Sequence, residues 1–213
     1  MKDIALFGAG GFGREVACLI NMINEVSPTW NLIGFFDDGK PIGEDVVYGK
    51  VLGGIEELNN WKRELALAIP VATPETLSLI VNKITNPLVS FPNLIAPDVV
   101  FFDKNNSTMG KGNIITSRCL FSTNVSLGDF NLFNCAVLVG HDTSMGNCNV
   151  IMSSVNISGG IEIGDCNFFG VQSVLLQYIK VGNHTRVGTN SVVIRSTKDD
   201  NLYIGNPATK VKL

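Results

Sequence analysis

The feature that most constrains this chain is a six-residue apolar period. Starting at Met109 and stepping by six, one meets Ile115, Phe121, Leu127, Phe133, Val139, Met145, Ile151, Ile157, Ile163, Phe169, Leu175, Val181, Val187 and Val193, all large and apolar. A second period nests inside it, because Gly110-Lys111, Gly128-Asp129, Gly146-Asn147, Gly164-Asp165 and Gly182-Asn183 recur every eighteen residues. Three hexads therefore close one coil. The simplest geometry is a triangular prism in which each hexad supplies one flat β-face and one corner, with its apolar residue pointing inward. Gly-Asp and Gly-Asn would supply corners tolerant of positive φ. Met109, Leu127, Met145, Ile163 and Val181 would stack as one column at the inter-strand spacing of roughly 4.8 Å per coil.

The first ninety residues follow a different pattern. Ile4-Ala5-Leu6-Phe7 is a short buried-strand run that ends in Gly8-Ala9-Gly10-Gly11-Phe12-Gly13, and Arg14 to Asn24 then shows helical apolar spacing. A second strand over Leu32 to Phe36 ends in Asp37-Asp38-Gly39. Helix over 55–65, strand over 66–71 and helix over 74–83 follow, so strands alternate with helices as in a parallel sheet. Pro87, Pro92 and Pro97 mark the change of pattern, which places a boundary near residue 92. The spacing predicts two units, 1–92 as a Rossmann-like half domain and 93–213 as a parallel β-helix.

Gly8, Gly10 and Gly13 satisfy G-x-G-x-x-G between strand and helix, where helix N–H groups and the dipole can hold a diphosphate. The usual occupant is a dinucleotide. Only one mononucleotide-binding half fits before the prolines, however, and a nucleotide sugar suits that space better than NAD. Asp37-Asp38-Gly39 reads equally well as a strand-ending turn.

A net charge of -3 argues against wholesale binding to nucleic acid or anionic membrane. Cys18, Cys119, Cys135, Cys148 and Cys166 show no CxxC spacing and fall in apolar or repeat segments, which fits buried thiols in a reducing cytoplasm. Neither a secretory signal nor a membrane-spanning stretch is expected. Two scattered histidines and unspaced cysteines make no metal-ligand set.

With two histidines in the chain, the search for a general base is short. His141 lies two residues past the inward Val139, at a corner facing out of the prism, with Asp142 beside it. A carboxylate near an imidazole favours its protonated form and raises its basicity. His184 sits at a corner of another coil without an acidic neighbour and reads as a surface residue. Phe35, Phe36, Phe101, Phe102, Trp30 and Trp61 read as packing residues. From Leu176 to Leu213, six cations (Lys180, Arg186, Arg195, Lys198, Lys210 and Lys212) against Asp199 and Asp200 leave +4, a surplus that suits phosphates.

The hexapeptide period resembles that of the hexapeptide-repeat acyltransferases, a likeness that implies a left-handed β-helix assembling as a homotrimer. Asn134-Cys135-Ala136 to His141-Asp142, Gly159-Gly160-Ile161-Glu162-Ile163-Gly164, Phe168-Phe169-Gly170-Val171 and Ile204-Gly205-Asn206-Pro207-Ala208 narrow it. Over essentially its whole length the chain is similar to the bacterial sugar O-/N-acetyltransferases of the sialic acid and bacillosamine type. The likeness implies that His141 is the base and that Asp142 raises its basicity. It also implies acetyl-CoA in a groove between subunits, near Gly159, Gly170, Val171, Gly188 and Thr189. Gly10, Gly11 and Phe12 would contact the diphosphate or sugar, Asp37 and Asp38 the base or ribose, and Asn134 the substrate. One departure is Val150, a cofactor-facing position where relatives often carry a second histidine nine residues after the base. Oxyanion stabilisation would then fall to backbone N–H groups.

These features point to acetyl transfer from acetyl-CoA onto the amino group of a nucleotide-diphosphate amino sugar in surface-glycan biosynthesis. Transfer would be direct, because no cysteine or serine is paired with a base as a covalent nucleophile requires. O-acetylation of a sugar hydroxyl, of the sialic acid type, would use the same residues. A nicotinamide-dependent oxidoreductase would use the glycine loop instead, and a non-catalytic trimerising β-helix only the repeat.

Overall fold

The computed structural model describes residues 1–211. Its N-terminal unit is an α/β layer of β1 (Lys2–Phe7), α1 (Gly11–Val26), β2 (Trp30–Phe36), β3 (Asp45–Val46), β4 (Gly49–Gly53), α2 (Ile55–Asn59), β5 (Leu65–Ala68), α3 (Pro74–Lys83) and β6 (Val89–Ser90). The sheet order is β3-β4-β2-β1-β5-β6, parallel except for the β3–β4 hairpin. Two details differ from the sequence expectation. The helix expected over 55–65 stops at Asn59, where the Asn86 amide donates to the carbonyls of Leu58 and Trp61 and draws the chain toward β5. The β3–β4 hairpin went unforeseen because its turn, Val47-Tyr48, carries none of the usual hairpin turn residues.

Beyond β6 the chain winds into a parallel β-solenoid with the architecture of the left-handed β-helix. One face runs from Leu94–Ile95 through Arg186–Val187 and is extended by Leu202–Gly205 and Ala208–Val211. The second face runs from Val100–Phe101 to Val192–Val193, and the third from Thr108–Met109 to Lys180–Val181. Coil-to-coil pairing is in register at eighteen residues, as in Leu127 opposite Met145 and Met145 opposite Ile163. The expected inward column residues fill one continuous core, with Met109 partly buried at its open end.

The corners depart from the expectation in an informative way. Positive φ does not fall on the Gly-Asp and Gly-Asn pairs. It falls three residues after each inward apolar residue, from Gly112, Arg118, Asn124 and Phe130 to Tyr178, His184 and Asn190. At Gly112 and from Phe130 onward the left-handed turn aims these N–H groups at a carbonyl of the preceding coil, as in Ala136 to Ser117 at 3.0 Å and Cys148 to Asp129 at 2.9 Å, whereas Arg118 and Asn124 make no such bond among the described residues. Where it forms, this backbone bond offsets a conformation that L-residues otherwise avoid at about 1–2 kcal/mol each. The glycines serve another purpose. A Cβ on Gly146 would stand 2.2 Å from Asp165 Oδ1, the atom that accepts the Asn147 N–H at 2.6 Å. Glycine leaves room for the carboxylate or amide of the next coil to cap this one.

Inside the same edge runs a second column that the apolar period does not reveal. Asn113, Asn131, Asn149 and Asn167 are buried, and each side-chain oxygen accepts the N–H of the residue one coil on, ending at Thr185. Their amides donate to Gly128, Gly146 and Gly164 carbonyls.

The two units share packing. Val16, Ala17 and Ile20 of α1 cluster with Leu94, Ala96 and Ile114 of the first face. Arg186 lies over the Phe168 ring and donates to Glu75 of α3 at 3.0 Å, which ties the last coils to the α/β layer.

Asn149→Leu should destabilise the protein by at least about 1–3 kcal/mol in chemical denaturation although leucine is more apolar, because the buried Asn167 N–H loses its acceptor. A stability equal to or above the parent's would show that the ladder adds nothing.

Candidate active site

His141 and Asp142 form the corner between the second and third faces. Asp142 takes the left-handed conformation at φ 54°, which turns its carboxylate back alongside the preceding imidazole, and Asp142 Oδ2 lies 2.8 Å from His141 Nδ1. Its other oxygen accepts Asn124 Nδ2 at 2.6 Å, from the same column one coil earlier. These bonds, that of Asn124 first and that of His141 second, hold the Asp142 carboxyl below the usual carboxylate range. An ionised carboxylate only accepts, so Nδ1 carries the proton and the lone pair sits on Nε2. Sequence reasoning missed Asn124, although its position eighteen residues before Asp142 placed it in the same stack.

The imidazole rests on bare backbone. A Cβ on Gly159 would stand 2.5 Å from His141 Nε2, so only glycine allows the ring to lie there. Gly160 N–H donates to the His141 carbonyl at 2.7 Å and fixes the Gly159-Gly160 segment beneath the ring. Among the described residues, the Gly159 N–H has no acceptor.

The other expected residues fall elsewhere. Gly170, Val171, Gly188 and Thr189 lie with Asn134 along the edge between the first and second faces, across the second face from His141. One chain does not bring the two edges together. Asn134 Oδ1 accepts its neighbour's N–H, that of Cys135, at 2.7 Å. Val150 is corrected: it lies on the first face, 0% exposed, between Leu132 and Phe168, and a side chain so enclosed in the single chain offers no surface to a cofactor. His184 is exposed at a corner of the third edge, away from His141.

The apolar second face is open. Val100, Leu138, Leu176 and Ile194 on it or at its rim are all exposed. Of the C-terminal cations, Arg186 is held by Glu75 and Lys180 pairs with Glu162 at 2.7 Å, whereas Arg195, Lys198 and Lys210 are exposed. Lys212 and Leu213 lie outside the described residues.

At the glycine loop the three glycines divide. A Cβ on Gly13 would stand 2.0 Å from the Gly8 carbonyl oxygen, so this glycine is required for α1 to pack on β1. A Cβ on Gly10 or Gly11 would meet nothing, which leaves an open cradle at the start of α1 with no side-chain cap and no acidic residue in its first turn. Phe12 is partly buried against the α1 core. Asp37 and Asp38 already have partners. Asp37 accepts Ala9 N–H at 2.8 Å and Gly39 N–H at 2.9 Å, and Asp38 accepts the Ile55 N–H at the start of α2 at 2.7 Å. Their first role is to shape the loop, in keeping with the turn that their sequence also suggested.

All five cysteines are free, but two depart from the expected burial. Cys18 is exposed and donates to Tyr48, and Cys135 is half-buried. Burial pushes the Cys119 thiol up to about 11 and Cys148 up to about 12, values that suit packing and not nucleophilic attack. Phe102 is exposed and does not pack as expected. Among the described residues no His, Cys, Asp or Glu side chains gather to hold a metal ion, and no helix is long and apolar enough to cross a membrane.

Residues 3–84 match the family model described as the PglD N-terminal domain. No curated protein sequence matches the chain at a significant level. The acetyltransferase domain of PglB from Neisseria gonorrhoeae, in complex with acetyl coenzyme A, aligns with a TM-score of 0.88 at 24% identity over 99% of this chain and 99% of that one. The H141N mutant of perosamine N-acetyltransferase from Caulobacter crescentus, in complex with CoA and GDP-perosamine, gives 0.87 at 20% identity over 100% of this chain and 98% of that one. WeeI from Acinetobacter baumannii gives 0.83 at 22% identity over 99% of this chain and 100% of that one. At such identities the likeness is one of fold, and it spans both units.

Gly13→Ala should cost about 1–3 kcal/mol by overpacking, while Gly10→Ala and Gly11→Ala should stay within about 0.5 kcal/mol of the parent in thermal melts. Equal losses at all three would mean that the loop is shaped by packing alone.

Proposed function

We propose that this chain is an acetyl-CoA-dependent N-acetyltransferase acting on the amino group of a nucleotide-diphosphate amino sugar in surface-glycan biosynthesis. It works as a homotrimer in the cytoplasm, with 1–92 binding the nucleotide sugar and 93–213 carrying the acyl transfer. The observation that carries this reading is the His141 imidazole, fixed through Nδ1 by an ionised Asp142 and presenting Nε2 above Gly159 on an outer edge of the solenoid. The fold shared with structures that hold acetyl coenzyme A, or CoA with GDP-perosamine, supports the choice of donor and acceptor class. Five free thiols suit a compartment that keeps cysteines reduced.

As the sugar nitrogen attacks the thioester carbonyl, a C–N bond forms and Nε2 takes the proton from nitrogen. The unpaired Gly159 N–H is the donor for the oxyanion that develops on the carbonyl oxygen. Collapse breaks the C–S bond, and the imidazolium returns the proton to the departing CoA thiolate. Among the described residues the His141 ring pairs with Asp142 and with no cysteine or serine, so no covalent nucleophile is activated and transfer is direct.

Trimerisation supplies what one chain lacks. An apolar face of this kind is covered in assemblies, and here it separates the His141 edge from the Gly170–Thr189 edge. Closing a ring about the second face sets one copy's base against the next copy's Gly170, Val171, Gly188 and Thr189, where acetyl-CoA is placed. Arg195, Lys198 and Lys210 face the CoA phosphates, and Gly10, Gly11 and Phe12 the acceptor diphosphate, with Asp37 and Asp38 behind them. Asn134 lies on the same edge as the donor residues, toward the first coils.

In an assay of CoA release with nucleotide amino sugars, His141→Ala should lower kcat by about 10²–10⁴-fold with the fold intact. Full turnover would remove His141 as the base, and turnover only with acceptors that offer a hydroxyl would convert the reading to O-acetylation. Because Asp142 is held below the usual carboxylate range, no enzyme carboxyl ionisation should appear in the pH profile of kcat above about pH 5. A carboxyl ionisation in that range would contradict the assignment. Sedimentation should give three copies, and Leu138→Glu should yield monomers without activity.

A further inference from the structure

Tyr178 occupies the edge of His141, one coil beyond Gly159-Gly160, in the stack Asn124, Asp142, Gly160, Tyr178. Its ring is folded back toward the base. A Cβ on Gly160 would stand 2.5 Å from Tyr178 Cδ1, so the ring lies over the space that Gly160 leaves empty, and Tyr178 N–H donates to the Gly159 carbonyl at 3.2 Å. His141 covers Gly159 from the preceding coil and Tyr178 covers Gly160 from the following one. The two bare residues are thus the floor of a slot with an imidazole for one wall and a phenol for the other.

The same packing device occurs once more. Phe130 lies over Gly112 at an identical 2.5 Å to its Cδ1, and there the outer side of the ring is covered by Phe91, edge-on at 5.0 Å. Tyr178 repeats the arrangement without such a cover, and the residue is 76% exposed. In the first case the α/β layer is the cover. In the second the cover must come from outside the chain, next to the base.

Resting on the acetyltransferase reading above, we infer that Tyr178 binds the acyl-thioester end of the donor, its ring packing against the pantetheine arm while the carbonyl sits over Gly159. The choice of donor over acceptor follows from position along the solenoid. The glycine loop's helix packs on Leu94, Ala96 and Ile114 of the first coils, so the acceptor arrives from that end. Tyr178 lies on the far side of His141, toward the exposed Arg195, Lys198 and Lys210.

Calorimetry with acetyl-CoA alone and initial-rate kinetics with the nucleotide amino sugar test this on the full chain. Tyr178→Ala should weaken acetyl-CoA binding and raise its KM about tenfold, leaving the acceptor KM and the acid limb of the pH profile unchanged. Tyr178→Phe should restore donor binding to within about twofold, since the ring is retained. Unchanged donor affinity in Tyr178→Ala, or a loss confined to the acceptor KM, overturns the inference. So does a change in sedimentation with donor affinity kept, which would assign the ring to a contact between copies. A parent protein that binds no acetyl-CoA defeats the donor reading itself, separately from the role of Tyr178.

Discussion

The interaction on which the rest depends is the corner hydrogen bond. From Phe130 to Asn190 one residue at each hexad boundary turns left-handed, and its N–H reaches a carbonyl one coil back. Because this repeats at a fixed interval, each residue stands against its equivalent eighteen positions away, and the solenoid becomes a set of columns. A column tolerates little variety on the inside, where Ile157 and Leu175 or Asn131 and Asn149 must fit the same space coil after coil. Outside, each position is free of that demand, and chemistry can be placed at one coil without disturbing the next. His141 follows this rule. Its ring departs from the stack only because Gly159, above it, has no side chain.

How much of this was legible in sequence follows from the same logic. The inward apolar column is visible because large residues recur at a fixed step, and every one of them packs into the core. The Asn113, Asn131, Asn149 and Asn167 ladder recurs just as regularly, yet polar residues inside a solenoid contradict the usual sense of burial and so drew no notice. Gly-Asp and Gly-Asn pairs were visible as motifs but misread in mechanism. Their glycine is selected by the side chain of the following coil, a relation across one whole coil that no local turn preference expresses. In the α/β layer, strand and helix periods marked most elements. The hairpin at Val47-Tyr48 depends on tertiary pairing with β2 through β4, for which the local sequence has no signal.

At the site, residue type and a corner position were enough to single out His141 and Asp142, because imidazole beside carboxylate is a short-range pattern. Asn124 needed the column relation, and the fate of Val150 needed the packing between units. The first face, on which Val150 lies, supplies Leu94 and Ile114 to the core shared with α1, while the second face stays apolar and open. The α/β layer therefore decides which faces remain for association. The Arg186 to Glu75 bond extends that decision along the solenoid to its last coils and takes one cation out of the surplus that the sequence had assigned to phosphate.

With Val150 enclosed, this chain cannot place a second imidazole or any other side chain from that position beside the thioester. In the proposed mechanism the donor to the carbonyl is backbone, the Gly159 N–H, beside a ring that its own glycine admits. A backbone donor is held by two coils of hydrogen bonds and needs no reorganisation as charge develops, whereas a side-chain donor must first be oriented. In that mechanism the same glycine serves the base and the oxyanion at once. Any side chain there would push the imidazole away before it touched the substrate, which makes position 159 the point at which the geometry of the coil and the chemistry proposed for it cannot be separated.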